Sequence, residues 1–380
     1  MLGFARQNSK VEVSMRKYQF DGIRFVLFLM VFATHYHPMP LKVAYLGYAL
    51  PVFFVMSGFL ITNVLMSAND PTLGGKLKTF YSRRILRICP SYFLVVLLLI
   101  ALGDLTHPLS YLLYLVNVKL FSLSISLPHG EFHSWFVGVW HRESMHLWSL
   151  SVEEQFYILY PLVLYLTPTR HRTLMLFSLL GLSIVARFWF MAYYPKSFYG
   201  TLLPVCTEYF AWGCVFAWLE AQKRLTLLAP GWTLGTSTLV VVILVAVEHQ
   251  LGHGQFLQFA VSHYQTPVAL AMGFFIWSLW AIPNRHWVAR LLSWKPLVYF
   301  GGMSYTLYLV HLLAADIFEW TGIDLPFSAE LDRAAGAFVT TLLMGMVIWH
   351  LVEKPVYSLR RFIPYAKSER PASVNRQSDS

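Results

Sequence analysis

An all-α, polytopic membrane helix bundle of about ten transmembrane helices, with N- and C-termini cytoplasmic, is the fold class that this 380-residue sequence predicts. Three observations carry it. The chain is 57% hydrophobic and 17% aromatic with only 13% charged residues, too apolar for a soluble domain. Apolar runs long enough to cross a bilayer recur at short intervals between residues 22 and 352. Lys and Arg gather in alternate connections: with a cytoplasmic N-terminus, 22 fall on the inside and five on the outside, while Arg24 and Arg187 lie within spans. The net charge of +10 is then an orientation signal and calls for no nucleic acid.

The segment 1–20 carries Arg6, Lys10, Arg16 and Lys17 ahead of the first apolar stretch, Asp21 to His37. A basic start before a short apolar run can mimic a secretory signal peptide. Here Pro38, Pro40 and a second long helix follow at once without a small-residue cleavage site, so the span is read as retained. Span two runs from about Tyr45 to Met66, and Ser57-Gly58 in its middle offers a close helix approach or a backbone break. A basic loop holding Lys76, Lys78, Arg83, Arg84 and Arg87 ends at Pro90, and span three covers Ser91–Gly103. The less hydrophobic stretch Leu109–Leu123 reads as a short or re-entrant helix, and residues 124–147 as a loop rich in His, Trp and Glu. Span four is Leu150–Leu166; the others lie near 174–194, 201–219, 232–248, 266–282, 298–318 and 334–352. Domain organisation is therefore 1–20 as a cytoplasmic segment, 21–362 as one membrane domain and 363–380 as a polar tail expected to be disordered.

The chemistry-bearing residues stand out because ionisable groups are rare here. Arg24 and His35 are eleven residues apart on span one, about three helical turns and roughly 16 Å, so they share a face. An arginine inside an apolar span should face protein or a wet cavity. Arg83, Arg84 and Arg87 read, taken alone, first as positive-inside anchors, the alternative being a phosphate clamp, since guanidinium forks match phosphate oxygens. Glu153 and Glu154 begin span four, where carboxylates suit the helix dipole, and they point about 100° apart. Glu153 shares a face with Ser149, Phe156, Tyr157 and Tyr160 and is expected at the depth of His35, where a carboxylate would orient the ring. Arg187 and Glu208 read as site candidates or as a structural pair. Tyr305, Tyr308 and His311 share a helical face; His249, His253 and His263 are too sparse for a metal site. Cys89, Cys206 and Cys214 lack metal-ligand spacing and form no disulfide framework.

These stretches together resemble the integral-membrane acyltransferase-3 family, whose members acylate sugars of bacterial envelope polysaccharides, lipopolysaccharide and related glycans, and also macrolides. The resemblance rests on Arg24–ten residues–His35, FFVMSGFLIT at 53–62, YSRRILRICP at 81–90, HLWSLSVEEQFYILYP at 146–161, SYTLYLVH at 304–311 and Glu353-Lys354-Pro355, in that order along nearly the whole chain. It implies that His35 is the catalytic histidine, Arg24 its companion, Arg83, Arg84 and Arg87 the ligands of the coenzyme A phosphates, and Glu153 the family's outer-face carboxylate. Glu154 varies within that motif. The extra periplasmic hydrolase-like domain of some members is not found here, so any donor-to-acceptor relay is expected within the membrane domain.

The sequence therefore reads as a bacterial inner-membrane O-acyltransferase. The expected donor is acyl-CoA, acetyl-CoA foremost, and the acceptor a sugar hydroxyl of a surface polysaccharide, lipid-linked oligosaccharide or related glycoconjugate. No metal or redox cofactor is expected. His35 serves as base or as transient acyl carrier. The competing class is a proton-coupled transporter, which ten spans with intramembrane Arg, His and Glu also describe. Broken spans in matching halves would favour it, and no such symmetry is present. A sensor or scaffold without turnover would not need the arginine clamp.

Overall fold

The computed structural model describes residues 17–36, 48–126, 144–250, 265–323 and 328–363, the side chains of 248–250 excepted, and among these residues every regular element is helical. The first apolar stretch folds as α1 (Tyr18–Tyr36). It is followed by α2 (Ala49–Met66), α3 (Leu73–Ala101), and the short α4 (Pro108–Leu112) and α5 (Val116–Ser126). A 3-10 turn, Met145–Leu147, leads into α6 (Trp148–Leu166), then come α7 (Arg172–Tyr193), α8 (Leu203–Ala221), α9 (Pro230–Gln250) and α10 (Gln265–Ala281). The last group is α11 (Trp287–Leu292), α12 (Lys295–Gly302), α13 (Ser304–Trp320), α14 (Ala329–Ile348), a π turn at Trp349–Glu353 and α15 (Lys354–Ser358).

The bundle centre is set by backbone contact. Gly58 of α2 lies on the Phe210 carbonyl of α8, and Gly213 of α8 lies on the Val55 carbonyl of α2, so a methyl group at either would meet backbone that cannot swing aside. Small residues let helices approach this closely where lipid supplies no hydrophobic drive. In consequence 56% of the α2 span is buried but only 17% of the α9 span. Around this pair α8 also packs on α7 and α10, α9 on α10, and α13 on α14, while α1 lies against α2, α11 and α12.

By length and composition, five described helices can cross a membrane, and a bent pair makes a sixth. They are α2, α3, the stretch 169–193, 230–247 in α9 and the stretch 329–362, with α12 and α13 as the pair. Helices α1, α6 and α8 carry Asp21, Arg24, Glu153, Glu154, Glu208 and Glu220 with several aromatics, which lowers their hydropathy. A helix screened by its neighbours can carry such groups, whereas a lipid-facing one cannot.

Three elements differ from the sequence expectation. The basic stretch before Pro90 is not a loop: α3 starts at Leu73, capped by Thr72 Oγ1 accepting from the Gly75 amide at 3.0 Å, and runs through Pro90 to Ala101. Packed bundles tolerate such a proline because neighbouring groups satisfy the freed carbonyl. The expected span 298–318 is two helices meeting at 72°. Leu109–Leu123 is broken at Tyr114, which takes a left-handed conformation with φ 53. The 124–147 loop from 127 to 143, His253 and His263, residues 1–16 and the tail from 364 lie outside the described residues, as does the side chain of His249.

The contrast between two glycines tests this packing. Gly213→Ala is expected to destabilise the detergent-solubilised protein by about 1–3 kcal/mol through overpacking. Gly235→Ala on α9, where an added methyl meets nothing within 4 Å, should be neutral or slightly stabilising. Thermal unfolding of both variants decides it.

Candidate active site

The first turn of α1 is clamped before it presents a charge. Gly22 lies on the Leu292 carbonyl of α11 and Gly301 of α12 lies on the Asp21 carbonyl, so α1 is held against both helices by backbone contact. Asp21, thus fixed, accepts from Arg24 Nη1 at 3.0 Å. The guanidinium turns into a cavity of about 510 Å³, within the range of small-molecule sites.

Among the described residues, four arginines line this cavity, Arg24 from α1 and Arg83, Arg84 and Arg87 from α3, against one lining carboxylate, Glu153 from α6. Because α3 is a continuous helix, the last three are held on one rigid element. Arg84 lies 3.4 Å from the Tyr157 ring centre, a close cation–π contact. Arg83 Nη1 donates to the Ile363 carbonyl at 2.9 Å. Arg87 lies 5.9 Å from the Tyr357 ring and within electrostatic reach of Glu353. Glu353 is 2% exposed and accepts a hydrogen bond from Thr306 Oγ1. Tyr157 donates to Ser57 Oγ at 2.9 Å, and Ser57 donates to Glu153 Oε1 at 2.8 Å. The result is a positive cavity with a few ordered polar groups, suited to a polyanionic ligand.

His35 belongs to a second layer, farther along α1. Its ring centre is 5.2 Å from that of His311 on α13, which is 4.5 Å from that of His146 in the turn before α6. Both His311 Nδ1, at 2.7 Å, and His146 Nε2, at 2.9 Å, face the Tyr308 carbonyl. The Tyr308 hydroxyl donates to the His146 carbonyl at 2.9 Å and shares a 2.7 Å hydrogen bond with Ser149 Oγ. Ser149 and Tyr308 also line the arginine cavity, so they join the two layers.

Of the sequence candidates, Arg24, Arg83, Arg84, Arg87 and Glu153 meet around one cavity, and His35 stands one layer away. The depth expected for Glu153 is corrected: it shares a level with Arg24, Arg84 and Ser57, and His146 occupies the level of His35. The reason is that the Met145–Leu147 turn is itself buried, so α6 begins inside the bundle and Glu153 sits more than a turn deeper than a rim position. Glu154 does not line the cavity but is within electrostatic reach of Arg84 and Glu153 as well as of Cys89, Tyr92 and Tyr114. Arg187 and Glu208 form a buried pair at 3.4 Å, with Thr266 and Gln265 donating to the carboxylate at 2.6 and 3.1 Å. Glu208 thus has Arg187, Thr266 and Gln265 as its partners, the arrangement expected of a structural pair.

Sequence reasoning missed His146, Glu353 and Asp21. His146 lies three residues before Ser149 in a motif already singled out, and Glu353 opens another. A rule that every ionisable group in a span seeks a partner would have flagged both. Among the described residues, no group of three or more His, Cys, Asp or Glu could hold a metal ion.

A sequence model of the acyltransferase-3 family, described as an acyltransferase domain, matches residues 17–350. Similar curated proteins include the peptidoglycan O-acetyltransferase OatA of Listeria monocytogenes, 25% identical over 93% of this chain. The O-acetyltransferase OatA of Staphylococcus aureus is likewise 25% identical over 93% of the chain. The matches span 58% and 60% of those relatives' own lengths. No solved structure matches the chain significantly.

The Arg187–Glu208 pair yields a test of its structural part. Glu208→Ala leaves a buried guanidinium uncompensated and should cost about 3–5 kcal/mol of stability. Turnover per folded molecule should be unchanged, as measured by activity normalised to the monodisperse fraction.

Proposed function

The chain belongs to the acyltransferase-3 family, and from that premise we propose that it is a membrane O-acyltransferase moving an acyl group, acetyl foremost, from cytoplasmic acyl-CoA to a sugar hydroxyl. The acceptor class is a surface polysaccharide, a lipid-linked oligosaccharide or a related glycoconjugate, and the names of the relatives add peptidoglycan to it. The Lys and Arg asymmetry supports ten spans with residues 1–20 and 363–380 cytoplasmic on either side of the 21–362 membrane domain, and the bacterial relatives support a place in the inner membrane. Helices α1, α6, α8 and α10 complete the count as inner spans.

One observation carries the reading: a cavity of about 510 Å³ lined by Arg24, Arg83, Arg84, Arg87 and Glu153, with Ser149 and Tyr308 leading on to the His35 layer. Acyl-CoA offers phosphates at one end and a thioester at the other. Arg83, Arg84 and Arg87 hold the phosphates, and the arm extends along Arg24 towards His35, which lies roughly 16 Å farther along α1. As a base, His35 takes the proton of the acceptor hydroxyl while the new C–O bond forms and the C–S bond breaks. The proton then passes to the departing thiolate. As a carrier, a His35 nitrogen takes the acyl group as the C–S bond breaks and the thiolate leaves. It then yields the group to the same hydroxyl as the C–O bond forms and the C–N bond breaks, the hydroxyl proton passing to the freed imidazole and on to the thiolate. Glu153 sits beside Ser57 and the arginines, and its part is to balance Arg24 and Arg84 and hold them in place.

His35→Ala should lower transfer by about 10²–10⁴-fold with the protein still folded. Mass spectrometry of surface glycans from cells with wild-type or variant protein measures it, and unchanged acylation with a folded variant would sink the assignment of His35 as the catalytic residue. Replacing Arg83 and Arg87 together by Ala should raise KM for acetyl-CoA about tenfold or more with a smaller effect on kcat, because phosphate contacts act in ground and transition states alike. Glu153→Gln should impair turnover far more than Glu154→Gln, since only Glu153 lines the cavity. Equal effects would leave both as dipole-stabilising residues, worth about 0.3–1 kcal/mol each.

A further inference from the structure

We infer that the end of the arginine cavity remote from His35 is an adenine subsite, in which Trp280 supplies a ring face and Asn63 reads the edge of the base. The inference deepens the reading of acyl-CoA as donor and rests on it.

The order of groups in the donor fixes where such a subsite lies. Coenzyme A carries its phosphates between the adenosine and the pantetheine arm. With the phosphates on Arg83, Arg84 and Arg87 and the arm pointing to His35, the base falls on the opposite side of the arginines. Three helices place cavity-lining residues there: Asn63 on α2, Phe80 on α3 and Trp280 on α10. The Trp280 ring meets that of Phe20 edge to face at 5.8 Å, and Phe20 precedes Arg24 by one turn of α1, roughly 6 Å. Ser57 lies at the Arg24 level, and Asn63 follows it by six residues, about 9 Å along α2. Helix α2 runs opposite to α1 here, since Phe59, past Ser57, meets the same Trp280 ring at 5.6 Å. Phe80 precedes Arg83 by three residues of α3, about 5 Å. The three residues therefore share one end of the cavity.

The chemistry of that end suits a purine. Trp280 is steadied by Phe20 and Phe59, with Lys17 Nζ 5.7 Å from its ring centre, yet it stays half-buried and borders the cavity. A fixed aromatic ring is what base stacking requires. Asn63 Nδ2 donates to the Phe59 carbonyl at 2.9 Å, which orients the amide and leaves Oδ1 and a second N–H. Among the described residues, neither that Oδ1 nor the Trp280 indole N–H has a protein partner.

A carboxamide that offers one donor and one acceptor matches the 6-amino group and a ring nitrogen of adenine. Hypoxanthine, with oxygen at that position, would set an acceptor against Asn63 Oδ1. The arginines bind phosphate oxygens whatever the nucleotide, so base contacts are where selectivity for it enters.

The test measures equilibrium binding to the full chain in lipid nanodiscs by titration calorimetry, with acetyl-CoA and its hypoxanthine analogue as probes. The two share phosphates, arm and ring face and differ at the base edge. Wild type should bind acetyl-CoA about fivefold or more tighter than the analogue, and Asn63→Ala should erase that preference. Trp280→Ala should weaken both probes about tenfold or more, and Trp280→Phe should recover most of the loss. Equal affinity of wild type for the two probes, a preference that survives Asn63→Ala, or wild-type affinity in Trp280→Ala would overturn the inference. The wild-type comparison decides it even where Trp280→Ala fails to fold. Replacing Arg83 and Arg87 together by Ala separates the two claims. If that variant binds acetyl-CoA as wild type does, the phosphate reading falls and the subsite with it. If it binds weakly while wild type does not distinguish the bases, only the adenine subsite falls.

Discussion

A guanidinium surrounded by lipid must find protein, water or counter-charge, and the architecture of this bundle follows from meeting that demand several times over. Arg24 is held by Asp21, Arg84 lies on the Tyr157 ring, Arg87 stands near Glu353 and Tyr357, and Arg187 is paired with Glu208. The Arg84 and Arg87 arrangements join α3 to helices distant in sequence and the Arg187 pair joins α7 to α8, whereas Asp21 and Arg24 lie one turn apart on α1. The charged helices α1, α6 and α8 are consequently internal, and the more apolar α9 is left mostly uncovered. Hydropathy along the chain is therefore lowest where chemistry is concentrated, because the outer helices do the work of facing lipid.

Two breaks in helical regularity bring the site's layers together. At Met303 the chain turns by 72°, so α12 can lie against the first turn of α1 while α13 runs up the bundle. Ser304, Tyr305 and Tyr308 then border the cavity, and His311, one turn beyond, meets His35. The π turn at Trp349–Glu353 departs from α-helical register. At that turn Glu353 meets Thr306 and comes near Arg87, and such bulges recur at functional sites. A strict α-helix through either point would alter which face its following residues present.

The helical membrane class, the helix positions and the Arg24–His35 relation were legible in the sequence, because each depends on local quantities. Composition and run length decide between water and lipid, and an eleven-residue spacing on one helix places two side chains on one face whatever surrounds it. The grouping of Arg83, Arg84 and Arg87 was equally local. Even the error at Pro90 was local: proline normally ends a helix in water, whereas packed bundles tolerate it.

What the tertiary structure alone decided is which groups meet. Lipid and protein interior are both apolar, so the facing of a helix is weakly encoded in its periodicity. The depth of Glu153 depends on α6 starting inside the bundle, and the pairing of Arg87 with Glu353 on a π turn far along the chain. The link from Tyr36 to His311, across 275 residues, depends on α1 and α13 approaching closely. Contacts of that kind are fixed by two backbones at once, as at Gly58 and Gly213, and no single stretch of sequence contains both.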